Sequence, residues 1–157
     1  MKNLKNPYAV DKNYNCFGCS PHNDKGLRLK FVDEGEWVTA EWLPDADFQG
    51  YYNVLHGGIQ ATMLDEIACW AVNVQAKSGG VTTALNVKYR STVFIDAGVI
   101  KLRAKVVDQN RRMATVHAEL ITADGKIGSD AEITYMVFPE DIAKEKLNWP
   151  GSEAFYE

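Results

Sequence analysis

The chain has 157 residues, the length of one ordinary domain, and its 46% apolar and 24% charged composition is that of a globular protein, not of a disordered or collagen-like one. Seventeen Lys and Arg against 21 Asp and Glu leave a net charge of -4, so the protein as a whole has no field that would attract phosphodiester backbones, which argues against nucleic acid as a partner. No apolar run is long enough for a secretion signal or a membrane span, and three cysteines, an odd number, suit reduced thiols, so the expected location is the cytoplasm, away from membranes.

Residues 1–26 read as a polar lead-in containing Cys16-Phe17-Gly18-Cys19. From Leu27 the pattern becomes regular. Leu27-Arg28-Leu29-Lys30-Phe31 and Trp37-Val38-Thr39-Ala40-Glu41-Trp42 alternate strictly on either side of Asp33-Glu34-Gly35, which predicts a β-hairpin. Pro44 to Asn53 is a loop whose Phe48, Tyr51 and Tyr52, with Trp42 before it, are candidates to line a pocket. From His56 to Lys77 an apolar run without proline predicts one helix of about six turns, entered through Gly57-Gly58 and stopped by Ser78-Gly79-Gly80. Val81–Phe94, Val99–Val107, Met113–Ile121 and Ile127–Phe138 read as strands, the last two joined by the hairpin signal Asp124-Gly125. Residues 139–157 form a tail with room for a short helix before Trp149-Pro150. The order β-β-α-β-β-β-β across 27–138 predicts an α+β fold, one long helix packed on an antiparallel sheet.

Two adjacent acids sit in the helix. At 100° per residue, Thr62, Asn73, Glu66 and Lys77 fall about 60° to 120° from Asp65 and make the helix's one polar stripe, to which Glu66 belongs. Asp65 instead faces Ala61, Ala68, Cys69 and Val72. A carboxylate among small apolar side chains is costly, so Asp65 is either held by backbone amides or an ordered water, or kept for chemistry. His56-Gly57-Gly58 opens the same helix with glycines that let another group approach free N–H donors at the positive end of the dipole, an arrangement able to polarise a carbonyl and hold an oxyanion.

Leu55-His56-Gly57-Gly58-Ile59-Gln60-Ala61-Thr62-Met63-Leu64-Asp65-Glu66 closely resembles the central helix of hotdog-fold acyl-CoA thioesterases of the phenylacetate-degradation type, and Val81-Thr82-Thr83-Ala84-Leu85-Asn86-Val87-Lys88-Tyr89 resembles the strand after it. The resemblance implies a curved antiparallel sheet wrapped around the helix, assembled as a homodimer with shared active sites or as a homotetramer, and acyl-CoA hydrolysis with no cofactor. It makes Asp65 the catalytic nucleophile or general base and Gly57 the N–H that binds the thioester oxygen, with His56 and Gly58 beside it. It also assigns Thr82 to positioning the attacking water. Some relatives carry an Asn six residues before the His; here that place is Gly50, and Asn53 is the nearest amide. Strand alternation groups Thr83, not Thr82, with Leu85, Val87 and Tyr89, so Thr83 is the core-facing residue unless a bulge intervenes.

Cys16 and Cys19, with His22 nearby, have the spacing of half a zinc ribbon, but a structural site needs four ligands, so the sequence points to no metal and to a structural clip. Arg90, Arg111 and Arg112 are candidates to meet the phosphates of CoA, and His117 reads as a surface residue. Two rival functions keep the same fold. One is an acyl-thioester dehydratase, for which His56 is the nearest base; the other is a non-catalytic acyl-CoA-binding or regulatory protein.

Overall fold

The computed structural model describes residues 1–157. Its strands are β1 (Lys2–Asn3), β2 (Val32–Asp33), β3 (Val38–Trp42), β4 (Gly80–Tyr89), β5 (Ile100–Gln109), β6 (Met113–Ile121) and β7 (Ile127–Val137). They form one antiparallel sheet in the order β1-β2-β3-β5-β6-β7-β4. The long helix α1 (Gly57–Ala71) continues without a break into a wider π turn over Val72–Ala76, and a short helix α2 (Glu140–Leu147) follows the sheet.

The sheet's inner face comes from alternation. Ile100, Leu102 and Ala104 of β5, Ala114, Val116, Ala118 and Leu120 of β6, and Ala131, Ile133, Tyr135 and Val137 of β7 are all buried. Ala104, Ala118 and Ala131 stand in register across the three strands, a row of small side chains that leaves room for a helix to lie close against the sheet. Into that room α1 delivers Met63, Leu64, Ile67, Ala68 and Ala71, all fully buried. Each of the larger three contributes about 1.5–3 kcal/mol by leaving water. No helix is long and apolar enough to cross a membrane.

Several boundaries differ from expectation: β4 ends at Tyr89 and not at Phe94, β5 runs on to Gln109, and the first hairpin and the end of the helix depart further. Leu27–Phe31 does bury Leu27, Leu29 and Phe31 alternately, but it is not a ladder strand. Leu27 and Leu29 donate their N–H groups to Phe17 O (2.8 Å) and Gly18 O (2.9 Å) in the cysteine turn, and Arg28 adopts a left-handed φ of 54°. The hairpin is confined to Val32–Asp33 against Val38–Thr39. The helix ends not on a glycine but on Lys77, which takes φ 52° and returns its N–H to Val72 O. Gly79 serves packing instead, since a Cβ there would press on Trp149, Leu147 and Ala143. The tail is also better ordered than its sequence suggests. Trp149 donates from Nε1 to Asn73 Oδ1 at 2.9 Å, Phe155 is buried against Trp70, and Lys5 N–H meets Phe155 O at 2.8 Å.

Candidate active site

His56 begins α1 with an extended ψ of 133°, and its Nδ1 accepts from Gly58 N–H at 2.9 Å. The ring is therefore the helix's N-cap. The Gly57 amide is a first-turn donor with no acceptor inside the chain. Gly57 is held from the sheet side: Tyr89 OH donates to Gly57 O at 2.6 Å, and a Cβ at Gly57 would lie 3.3 Å from the Tyr89 ring.

Two turns on, Asp65 receives two hydroxyls on one oxygen. Thr82 Oγ1 donates to Asp65 Oδ1 at 2.9 Å, and Tyr135 OH lies 2.7 Å from the same Oδ1 and 2.7 Å from the Asp65 carbonyl. Oδ2 makes no hydrogen bond within the chain and no basic side chain pairs with Asp65. Burial foremost, then the neighbouring Cys69 and Asp65, pushes the Tyr135 phenol well above its ordinary value, so it keeps its proton and acts as a donor. The carboxylate is thus fixed through one oxygen and offers the other.

Thr82 reaches Asp65 because the ladder between β4 and β7 slips by one residue. Thr82 pairs with Tyr135 and Ala84 with Thr134, so Thr83 is an extra residue in a bulge. The slip puts Thr82 on the inward face with Leu85, Val87 and Tyr89, and Thr83 spends its hydroxyl on Thr134 O at 3.0 Å. Asn53 is not free: its Nδ2 donates to Asp96 Oδ1 at 2.9 Å and its Oδ1 accepts from Asp96 N–H at 3.2 Å, which ties down the loop before the helix. Arg90 is paired with Asp130 at 2.7 Å, while Arg111 and Arg112 are exposed in the β5–β6 turn. Tyr51 and Tyr52 are exposed, whereas Trp42 and Phe48 pack on each other with ring centres 5.5 Å apart.

Tyr135 is the residue that sequence reading missed. Alternation along β7 places it inward, and a buried tyrosine needs a partner for its hydroxyl, but nothing in the spacing names a residue 70 positions away. Glu66 is the second surprise. It does not stand on a solvated stripe: the cysteine turn covers it, and Trp70 Nε1 donates to it at 3.3 Å. Burial pushes its carboxyl up to about 7. His22, which sequence spacing put beside the cysteines, points elsewhere, its Nε2 2.8 Å from Ala9 O.

Residues 52–129, from the loop before α1 into β7, match the thioesterase superfamily. Among solved structures, a thioesterase superfamily protein superposes with a TM-score of 0.72 at 19% identity, over 85% of this chain and 69% of its own. A thioesterase of Haemophilus influenzae gives 0.63 at 19% identity over 71% and 79% of the two chains. A Bacillus halodurans protein crystallised with CoA gives 0.59 at 24% over 63% and 70%. No curated protein matches the chain. Residues 52–129 thus carry the match to the thioesterase superfamily, and the fold is the hotdog architecture of a long central helix packed against a seven-stranded antiparallel sheet.

Proposed function

We propose that the protein hydrolyses acyl-CoA thioesters and that Asp65 supplies the reacting oxygen. The observation that carries this is the Asp65 carboxylate itself, held by Thr82 and Tyr135 through Oδ1 while Oδ2 stays free. The thioester oxygen accepts the Gly57 N–H, whose unused hydrogen and position at the positive end of α1 favour the oxyanion. Attack then proceeds by either of two routes. Asp65 takes a proton from water as hydroxide adds to the carbonyl, and the intermediate expels CoA thiolate, which recovers the proton. Alternatively Asp65 adds directly, CoA leaves, and water cleaves the resulting anhydride. Single turnover in oxygen-18 water identifies the second route when water attacks the Asp65 side of the anhydride, since only then does label enter Asp65.

CoA as the carrier is supported by the neighbour crystallised with it and by the superfamily. The Asp on the helix is the feature that allies this chain with the phenylacetate-degradation type. The dehydratase reading loses support because His56 commits Nδ1 to capping its own helix.

The working form is a dimer. Gly57 and Asp65 are about 12 Å apart along one helix, too far for both to meet one carbonyl. β4 is an edge strand of ten residues with Val81, Leu85 and Tyr89 exposed. A long apolar edge of this kind calls for a partner. A second copy antiparallel across a two-fold axis brings Gly57 of one chain to Asp65 of the other. The deciding assay follows thiol release from a panel of short, long and aromatic acyl-CoAs. Turnover that depends on the acyl group and vanishes in Asp65→Asn is the expected result, and binding without turnover across the panel would leave the regulatory protein as the reading.

A further inference from the structure

Asp65 and Glu66 are neighbours in sequence but about 100° apart on α1, so they serve different surroundings. Glu66 faces the N-terminal turn. Its two oxygens lie 3.8 and 3.7 Å from Cys16 Sγ, and the ligand atoms of Cys16, Cys19 and Glu66 all fall within 4.8 Å of one another. No basic side chain forms an ion pair with Glu66.

The turn is built to present both sulfurs. Ser20 N–H closes it on Cys16 O at 3.1 Å, and the bonds from Leu27 and Leu29 to Phe17 O and Gly18 O anchor its peptides. Asn6 Nδ2 reaches Cys19 Sγ at 3.3 Å. A Cβ on Gly18 would overlap the Glu66 carboxylate, so the missing side chain is what lets the turn sit on the helix. Beside the cluster is a cavity of about 200 Å³ whose wall includes Cys69 and Tyr14.

These separations have a chemical meaning. Tetrahedral zinc with Zn–S near 2.3 Å and Zn–O near 2.1 Å sets its sulfur and oxygen ligands about 3.6 Å apart. The Cys16–Glu66 distances of 3.7 and 3.8 Å are close to that. A half-buried carboxylate set against two thiols with no cation beside it is a costly arrangement, and borderline-soft donors of this mix suit zinc better than magnesium or calcium.

We infer that Cys16, Cys19 and Glu66 bind a divalent cation of the zinc class, with water from the adjacent cavity in the fourth position. Both cysteines bind as thiolates and their protons pass to solvent, so the site carries a net charge of about -1. The ion staples the N-terminal turn to the central helix one residue from Asp65. This inference stands apart from the thioesterase reading.

The test uses the full chain purified under reductant without chelator. Elemental analysis should find one zinc per chain, removable by chelator and restored by zinc salt, with the melting temperature falling and recovering in step. Cobalt loaded into the emptied protein should show thiolate-to-cobalt charge-transfer absorption in the near ultraviolet. Cys16→Ser and Cys19→Ser should lose that absorption, Glu66→Gln should weaken binding by about 10-fold or more, and His22→Ala should change nothing. If the cysteine variants fail to fold, the wild-type cobalt spectrum and protection of two thiols from alkylation by zinc decide. Zinc uptake no greater than in the cysteine variants, a cobalt spectrum without thiolate bands, or a Cys16–Cys19 disulfide whose reduction yields no uptake would each overturn it.

Discussion

Replacing Asp65 by Asn keeps the shape that Thr82 and Tyr135 grip and removes the reacting oxygen, so thiol release should fall by about 100- to 10,000-fold while far-ultraviolet circular dichroism is unchanged. The two hydroxyls differ from their neighbour in a way the same assay reads. Thr82→Val and Tyr135→Phe each remove a donor from the carboxylate and should cost about 10-fold or more, whereas Thr83→Val, whose hydroxyl meets only Thr134 O, should stay within about 2-fold. Equal losses at positions 82 and 83 would mean that the bulge does not aim Thr82. Gly18→Ala tests packing instead of chemistry: its Cβ runs into the Glu66 carboxylate, and the denaturation midpoint should drop by the equivalent of about 1–3 kcal/mol.

At the scale of whole elements, periodicity in the sequence reported which faces are buried but not which backbone or side chain covers them. The long helix, its buried circumference and strands β5 to β7 were legible because their alternation or helical period is unbroken. Leu27–Phe31 alternates just as well, yet its amides go to the cysteine turn and not to a strand, and side-chain pattern is blind to that choice. On β4, counting by twos from Leu85 leads to Thr83, and one inserted residue reverses the answer. Glu66 sits where a helical wheel places it; what the wheel lacks is the turn 50 residues upstream that closes over it. Asp65 and Gly57 could be singled out from local chemistry, whereas Tyr135 depends on sheet register.

For the whole molecule, the shared-site dimer predicts complementation. Chains carrying Asp65→Asn and chains carrying Gly57→Val, whose side chain would meet the Tyr89 ring, should each be inactive alone. After verified subunit exchange they should recover partial turnover, because each heterodimer holds one site with both groups intact. An active monomer in sedimentation would remove the need for a second chain. The bonds that join the two ends of the described chain have a different use. Leu4 bridges Tyr156, Lys5 N–H meets Phe155 O, and Glu157 N–H reaches Asn3 O at 3.4 Å. Ends this close allow the order of the sequence to be rewritten without moving the fold: a short Gly-Ser joint between Glu157 and Met1, with the chain reopened between Asp124 and Gly125 in the exposed β6–β7 turn, should give a circular permutant with the same Trp149–Asn73 packing. Its near-ultraviolet dichroism should match that of the parent, and the element order would then read from β7 through the joint to β6.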